Sequence, residues 1–172
     1  MKNLILIVVI LANSIVYSQV GLKGYYLGEK YIEDATNTIK LLGNVSAKQT
    51  TVGGIEGILY CDKTSDDKIY SITFSELLNP SIMFTPDNKD ERIKMRKKEA
   101  KEWIEKIETH YEIHFNAIIS DPSGTGGSFG EMNAIKNGVE YFCIINQTNF
   151  LFSITEINER KELVERNLKD DF

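Results

Sequence analysis

Two stretches of this chain repeat one another 82 positions apart, and that duplication limits the available folds more than any other feature. Ile69-Tyr70-Ser71-Ile72-Thr73 recurs as Leu151-Phe152-Ser153-Ile154-Thr155, and the same spacing carries Cys61 onto Cys143. Gly54-Ile55-Glu56 reappears as Gly138-Val139-Glu140, shifted by two residues. Each copy is rich in β-branched and aromatic residues and is bounded by turn formers, the pattern of a β-hairpin. In the first, Gly54 to Cys61 and Lys68 to Phe74 flank a turn at Asp62 to Asp67. In the second, Gly138 to Ile145 pairs with Phe150 to Ile157. A lone hairpin is marginal in water, so two of them call for a shared sheet or a covering helix.

The strongest helical pattern lies between the copies, from Asn88 to Tyr111. Ile93, Ala100, Trp103, Ile104, Ile107 and Tyr111 fall on one stripe, and Asp87 or Asn88 can cap the start. Asn158 to Lys169 predicts a closing helix with Val164 and Leu168 inward. The remaining segments carry weaker signals. Val20 to Leu27 reads as a short strand broken by glycines. Ile32, Ala35, Ile39 and Leu42 keep helical spacing, but Thr36-Asn37-Thr38 opposes a helix there. Val45 to Thr51 reads as loop, residues 77–88 as a connection containing Pro80 and Pro86, residues 113–120 as a strand, and 121–131 as a glycine-rich loop. The expected fold class is α+β: two antiparallel β-hairpin units, separate or merged into one sheet, covered by a long helix, with a C-terminal helix. Residues 19–172 form one domain of two pseudo-repeats, about 20–86 and 87–172.

The first 18 residues read as an address. Lys2 precedes the apolar run Leu4 to Leu11, and smaller residues follow to Ser18, as in a secretory signal peptide. Cleavage is expected between Ser18 and Gln19, with Ser14 the second choice. Leu4 to Val16 is too short for a membrane anchor, which needs about 20 residues. No cysteine stands near the cut for lipidation. Removing this segment takes out only Lys2, so the mature chain is slightly more acidic than the full chain's net −5. An exported acidic protein, periplasmic or secreted, is expected to bind no nucleic acid and to have no membrane span.

Several runs carry a resemblance. Leu22-Lys-Gly-Tyr-Tyr-Leu-Gly-Glu29, Thr50-Thr-Val-Gly-Gly-Ile-Glu-Gly57, Lys68-Ile69-Tyr70, Trp103 with His110-Tyr111-Glu112-Ile113, and the closing Lys169-Asp-Asp-Phe172 resemble a group of small exported bacterial proteins of unknown function. That resemblance implies no activity and no catalytic residue. The plan of repeated units also resembles the β-lactamase-inhibitor-protein-like fold.

Chemistry-bearing clusters are few. His110 and His114 share a helical spacing around Glu112, but zinc proteases need His-Glu-x-x-His, and the helix is expected to end near Tyr111. Ser123 to Gly130 is glycine-rich yet lacks the lysine of a phosphate-binding loop. Asp62, Asp66 and Asp67 crowd a turn that has no calcium-loop spacing. Arg92, Lys94, Arg96, Lys97, Lys98 and Lys101 alternate with Glu91, Glu99, Glu102 and Glu105, which reads as a solvated helix face. No cofactor motif is present. Cys61 and Cys143, equivalent in the repeats of an exported chain, are expected to form a disulfide. The leading functional expectation is a non-catalytic binding protein acting on an unknown protein or ligand through a sheet face or the loops at 44–51 and 121–131. The alternative is an exported hydrolase using carboxylates or a His110/His114 metal site. A purely structural envelope component is the third.

Overall fold

A computed structural model describes residues 20–33, 38–40, 46–77, 89–120, 128–146 and 148–170. The expected signal segment with its expected Ser18/Gln19 cut, the proline-containing connection and the glycine-rich part of the loop at 121–127 lie outside these residues. Among the described residues the fold is α+β, with a large antiparallel sheet and two helices. β1 (Gly21–Leu22) and β2 (Tyr25–Tyr26) form a small hairpin, and eight strands follow. They are β3 (Thr38–Lys40), β4 (Ser46–Val52), β5 (Ile55–Lys63), β6 (Ile69–Glu76), β7 (Asn116–Ser120), β8 (Ser128–Lys136), β9 (Val139–Asn146) and β10 (Phe150–Glu156). Helix α1 (Lys89–Tyr111) separates β6 from β7, and α2 (Ile157–Asp170) follows β10 directly.

The sheet order is β3-β4-β5-β6-β10-β9-β8-β7, with every neighbouring pair antiparallel. Two four-stranded meanders therefore meet along their last strands, β6 and β10. Both expected hairpins form. Four weaker assignments change, one of them at residues 128–131, expected as loop, which open β8 because they pair with β9. Val20 to Leu27 holds a hairpin instead of one strand, because Lys23 and Gly24 both take positive φ (54° and 88°) and turn the chain. Val45 to Thr51 is mostly β4, a polar strand that its pairing to β5 holds extended. Within 29–43, the described residues 38–40 are strand, not helix.

Directly opposed residues of an antiparallel sheet share a face. Leu59, Phe74, Phe152 and Cys143 stand in one such row, and all are buried. Trp103 of α1 packs on this face, its ring 5.2 Å from Phe150, 6.0 Å from Phe74 and 6.3 Å from Phe152. Its Nε1 donates to the Val52 carbonyl at 2.9 Å. Gly53 must be glycine there, since its φ is +61° and a Cβ would lie 2.7 Å from the Trp103 ring.

Two expectations are corrected on this face. Arg96 is not solvated: it is buried, its guanidinium lies 3.7 Å over the Phe150 ring, and it pairs with Glu76 of β6. Glu76 also accepts the Phe150 amide. The stripe of Ala100, Trp103 and Ile107 continues one turn back to position 96, so the helix's geometry carries a cation into the core. The disulfide does not form either. Cys61 and Cys143 are free thiols on β5 and β9, with β6 and β10 between them. Three inter-strand steps separate their backbones by about 14 Å, twice what a disulfide spans. The expectation required the strands bearing the cysteines to pair, whereas the halves join through β6 and β10.

Candidate functional site

The opposite face of the sheet is polar at the seam between the meanders. Alternation puts Ser71 and Thr73 of β6, and Ser153 and Thr155 of β10, on the side away from Phe74 and Phe152. Ser71 opposes Thr155 and Thr73 opposes Ser153. Ser71 Oγ and Thr155 Oγ1 share a hydrogen bond of 2.9 Å, with both residues buried. The row extends outward to Asp62 on β5 and Glu140 on β9.

Helix α2 makes this face concave. It starts one residue after β10, and its first amide, Ile157 N, donates to the Gly138 carbonyl at 3.1 Å. One turn later Arg160 Nη1 reaches Glu140 Oε2 at 2.9 Å. Arg160, Leu163 and Val164 then wall a cleft of about 490 Å³ floored by Ser71, Ser153, Thr155 and Phe142, with Asp62, Tyr70, Glu140 and Ile118 around it. Val164, expected inward, is 52 % exposed at the rim, while Leu163 is half-buried. The Arg160–Glu140 tether aims the face carrying Arg160 and Leu163 at the sheet, which leaves Val164 at its edge. The side chain of Leu168 lies outside the described residues.

Two breaks in strand register supply cleft residues. Asp62 opposes Ser71 and Lys63 opposes Ile69, so Tyr70 is the extra residue of a bulge. Ala117 opposes Met132 and Ile119 opposes Glu131, which leaves Ile118 as the extra residue on β7. A bulge re-aims a side chain that the pleat would otherwise direct elsewhere. Tyr70 and Ile118 both line the cleft.

Its two carboxylates differ. Glu140 is paired with Arg160. Asp62 has no hydrogen bond or ion pair among the described residues, and desolvation by the surrounding protein pushes its carboxyl above the ordinary value. Burial also raises the Tyr70 phenol, and the nearby Asp62 charge adds to that rise while Arg160 opposes it. No histidine lines the cleft, so Ser71 and Ser153 have no imidazole base beside them.

The other candidates disperse. α1 ends at Tyr111, and Glu112 takes a φ of 51°, which breaks the face that His110 and His114 would share. His110 lies edge-on to Tyr111, and His114 Nδ1 is 3.1 Å from Glu108. Among the described residues no group of three His, Cys, Asp or Glu side chains is placed to hold a metal ion. Asp66 pairs with Lys68 and accepts from Thr64, so its carboxyl falls below the ordinary value, while Asp67 pairs with Lys63. Lys98 and Lys101 make loose surface pairs with Glu102 and Glu105. The side chain of Arg92 is outside the described residues. No described helix is long and apolar enough to cross a membrane.

Sequence reasoning weighed Asp62 only as a turn residue and passed over Tyr70, Glu140 and Arg160. The available signal was the repeated Ser-Ile-Thr, which puts hydroxyls on one face of each strand. That the two strands meet, and that α2 closes over them, is tertiary. Compared with known proteins, the chain matches no family profile, no curated protein and no solved structure.

Proposed function

We propose that this chain is an exported, non-catalytic binding protein that holds a small ligand in the cleft between α2 and the polar sheet face. In this reading α1 covers the other face through Trp103, and the two meanders are copies of one ancestral unit. The observation that carries the proposal is the pair of bulges. Each interrupts a ladder at a cost in backbone hydrogen bonding, and both deliver their extra side chain, Tyr70 and Ile118, to the same concavity. The size of the cleft suits a small organic molecule.

The presence of Asp62 and Glu140 in one cleft favours a carboxylate hydrolase as the second reading. Their backbones are three inter-strand steps apart, roughly 14 Å, and Arg160 already engages Glu140. Glycosidase carboxyls flank the bond they cleave at about 5–9.5 Å. Binding fits this arrangement better than cleavage. Heteronuclear NMR of the protein against a panel of small neutral, anionic and cationic compounds tests the proposal. Shifts should concentrate at residues 61–62, 70–71, 140–142 and 153–155. A panel that moves none of these amides would remove the reading.

A further inference from the structure

The charge balance around the cleft is incomplete at one atom group. Every basic side chain with a described partner near Asp62 is engaged elsewhere. Lys63 reaches Asp67 and sits 4.7 Å over the Tyr31 ring. Lys68 holds Asp66, and Arg160 holds Glu140. The cleft wall therefore carries two carboxylates against one guanidinium, and the carboxylate left over is Asp62. Beside it lie the Ser71 and Thr155 hydroxyls, which bond to each other with one hydrogen, leaving each oxygen at least one lone pair to accept with and one hydroxyl hydrogen free to donate. The rest of the lining is largely apolar, with Phe142 in the floor and Ile118, Leu163 and Val164 around it.

We infer that the cleft takes a singly charged organic cation, an ammonium group on a compact apolar body, with the ammonium at Asp62 and the body beside Tyr70, the extra residue of the bulge next to it. The inference rests on the reading of the cleft as a ligand site and adds the class of ligand. An ammonium supplies three donors and one positive charge, which match the unpaired carboxylate and the adjacent hydroxyls. A neutral polyol would satisfy the hydroxyls and gain nothing from the charge at Asp62. An anion would face a wall of net negative charge. A bare divalent metal needs more oxygen ligands than the one unpaired carboxylate and its hydroxyl neighbours offer.

Three probes of similar shape separate these cases: 2-phenylethylammonium, neutral 2-phenylethanol and anionic 3-phenylpropanoate, titrated into the protein by heteronuclear NMR. The cation should perturb the cleft amides and bind at least tenfold more tightly than the alcohol, with the anion weaker still. Asp62→Asn should weaken the cation at least tenfold and leave the spectrum otherwise folded, while Glu102→Gln on the surface of α1 should change nothing. Equal affinity for the cation and the alcohol overturns the inference, as does an Asp62→Asn variant that binds the cation unchanged. Either result with shifts still at the cleft leaves the ligand-site reading standing. Absence of cleft shifts for all three probes and for the wider panel removes both.

Discussion

Ile72 faces Ile154 across the seam between β6 and β10, and the two residues are themselves 82 positions apart in the chain. The spacing of the recurring Ser-Ile-Thr and the register of the central strand pair thus coincide at one pair of side chains. Ser71 opposite Thr155 and Thr73 opposite Ser153 follow from it, because each pair lies one step to either side.

The Ser71–Thr155 bond should matter to stability more through its loss than through its presence. Thr155→Val keeps the shape but leaves the buried Ser71 hydroxyl without its partner, at a cost of about 1–3 kcal/mol. The double variant Ser71→Ala/Thr155→Val should recover part of that cost. Urea unfolding of the two variants reads the difference, and a double variant less stable than the single one would show that the hydroxyls do more than satisfy each other.

Trp103 should be the costliest single truncation in the core. It is 1 % exposed, touches three aromatic rings and satisfies the Val52 carbonyl. Trp103→Ala should lose about 3–5 kcal/mol. Trp103→Phe, which keeps most of the volume and abandons the carbonyl, should lose less. Denaturant midpoints check both, and a Trp103→Ala protein as stable as the parent would mean that α1 is not docked on this face.

The Arg96–Glu76 pair should be strongly non-additive. Removing Glu76 alone leaves the buried guanidinium with only the half-exposed Glu99, 3.2 Å from Nη1, as an ion-pair partner, and its Nε has none among the described residues. Breaking a buried pair in this way costs about 3–5 kcal/mol. Arg96→Met with Glu76→Gln removes both charges, keeps an acceptor for the Phe150 amide, and should cost much less than the two single changes added together. A double-mutant cycle in urea measures the coupling, and additive costs would contradict a direct pairing.

Both thiols should be inert in the folded protein. Burial pushes Cys143 up to about 12, and burial followed by the Asp62 charge does the same to Cys61. At pH 8 almost no thiolate exists to attack an alkylating reagent. Iodoacetamide should therefore leave the native mass unchanged, and should add two groups after unfolding without reductant. A single modified thiol in the native state would place Cys61, the less buried of the two, in a more open setting.

Asp62 should give stability a pH dependence of defined sign. Its carboxyl is raised in the folded state, so the folded chain holds the proton more tightly than the unfolded one. The contribution is most favourable below the ordinary aspartate value and declines as pH climbs through the interval up to the raised value. Asp62→Asn removes the penalty. Its melting temperature should exceed the parent's at pH 7, with the gap closing as pH falls below about 4. A parent more stable than the variant at pH 7 would show that Asp62 has a stabilising partner.

Local patterns made much of this fold legible. Alternating β-branched and aromatic residues marked β5, β6, β9 and β10, and the stripe through Ala100, Trp103 and Ile107 marked the buried side of α1. These signals are local because a strand or helix face is set by spacing along the chain. β4 was illegible for a related reason: Ser46-Ala-Lys-Gln-Thr-Thr-Val52 carries little apolar periodicity, and its extended form comes from pairing with β5. The burial of Arg96 was not legible because charge normally signals solvent, and it takes Glu76, Glu99 and the Phe150 ring, brought together by the fold, to bury a guanidinium.

The sequence by itself determined which residues alternate, where the long helix runs, and that Ser-Ile-Thr occurs twice at equivalent places. Tertiary structure decided that the two Ser-Ile-Thr strands, β6 and β10, pair with each other. That choice separated Cys61 from Cys143 by two strands and brought Ser71 to Thr155. It also let α2 fold back so that Asp62, Tyr70 and Arg160, distant in the chain, came to wall one cleft. The reason is physical: strand pairing between segments some 80 residues apart is governed by which faces can be buried together, a property of the assembled sheet that no window of the chain contains.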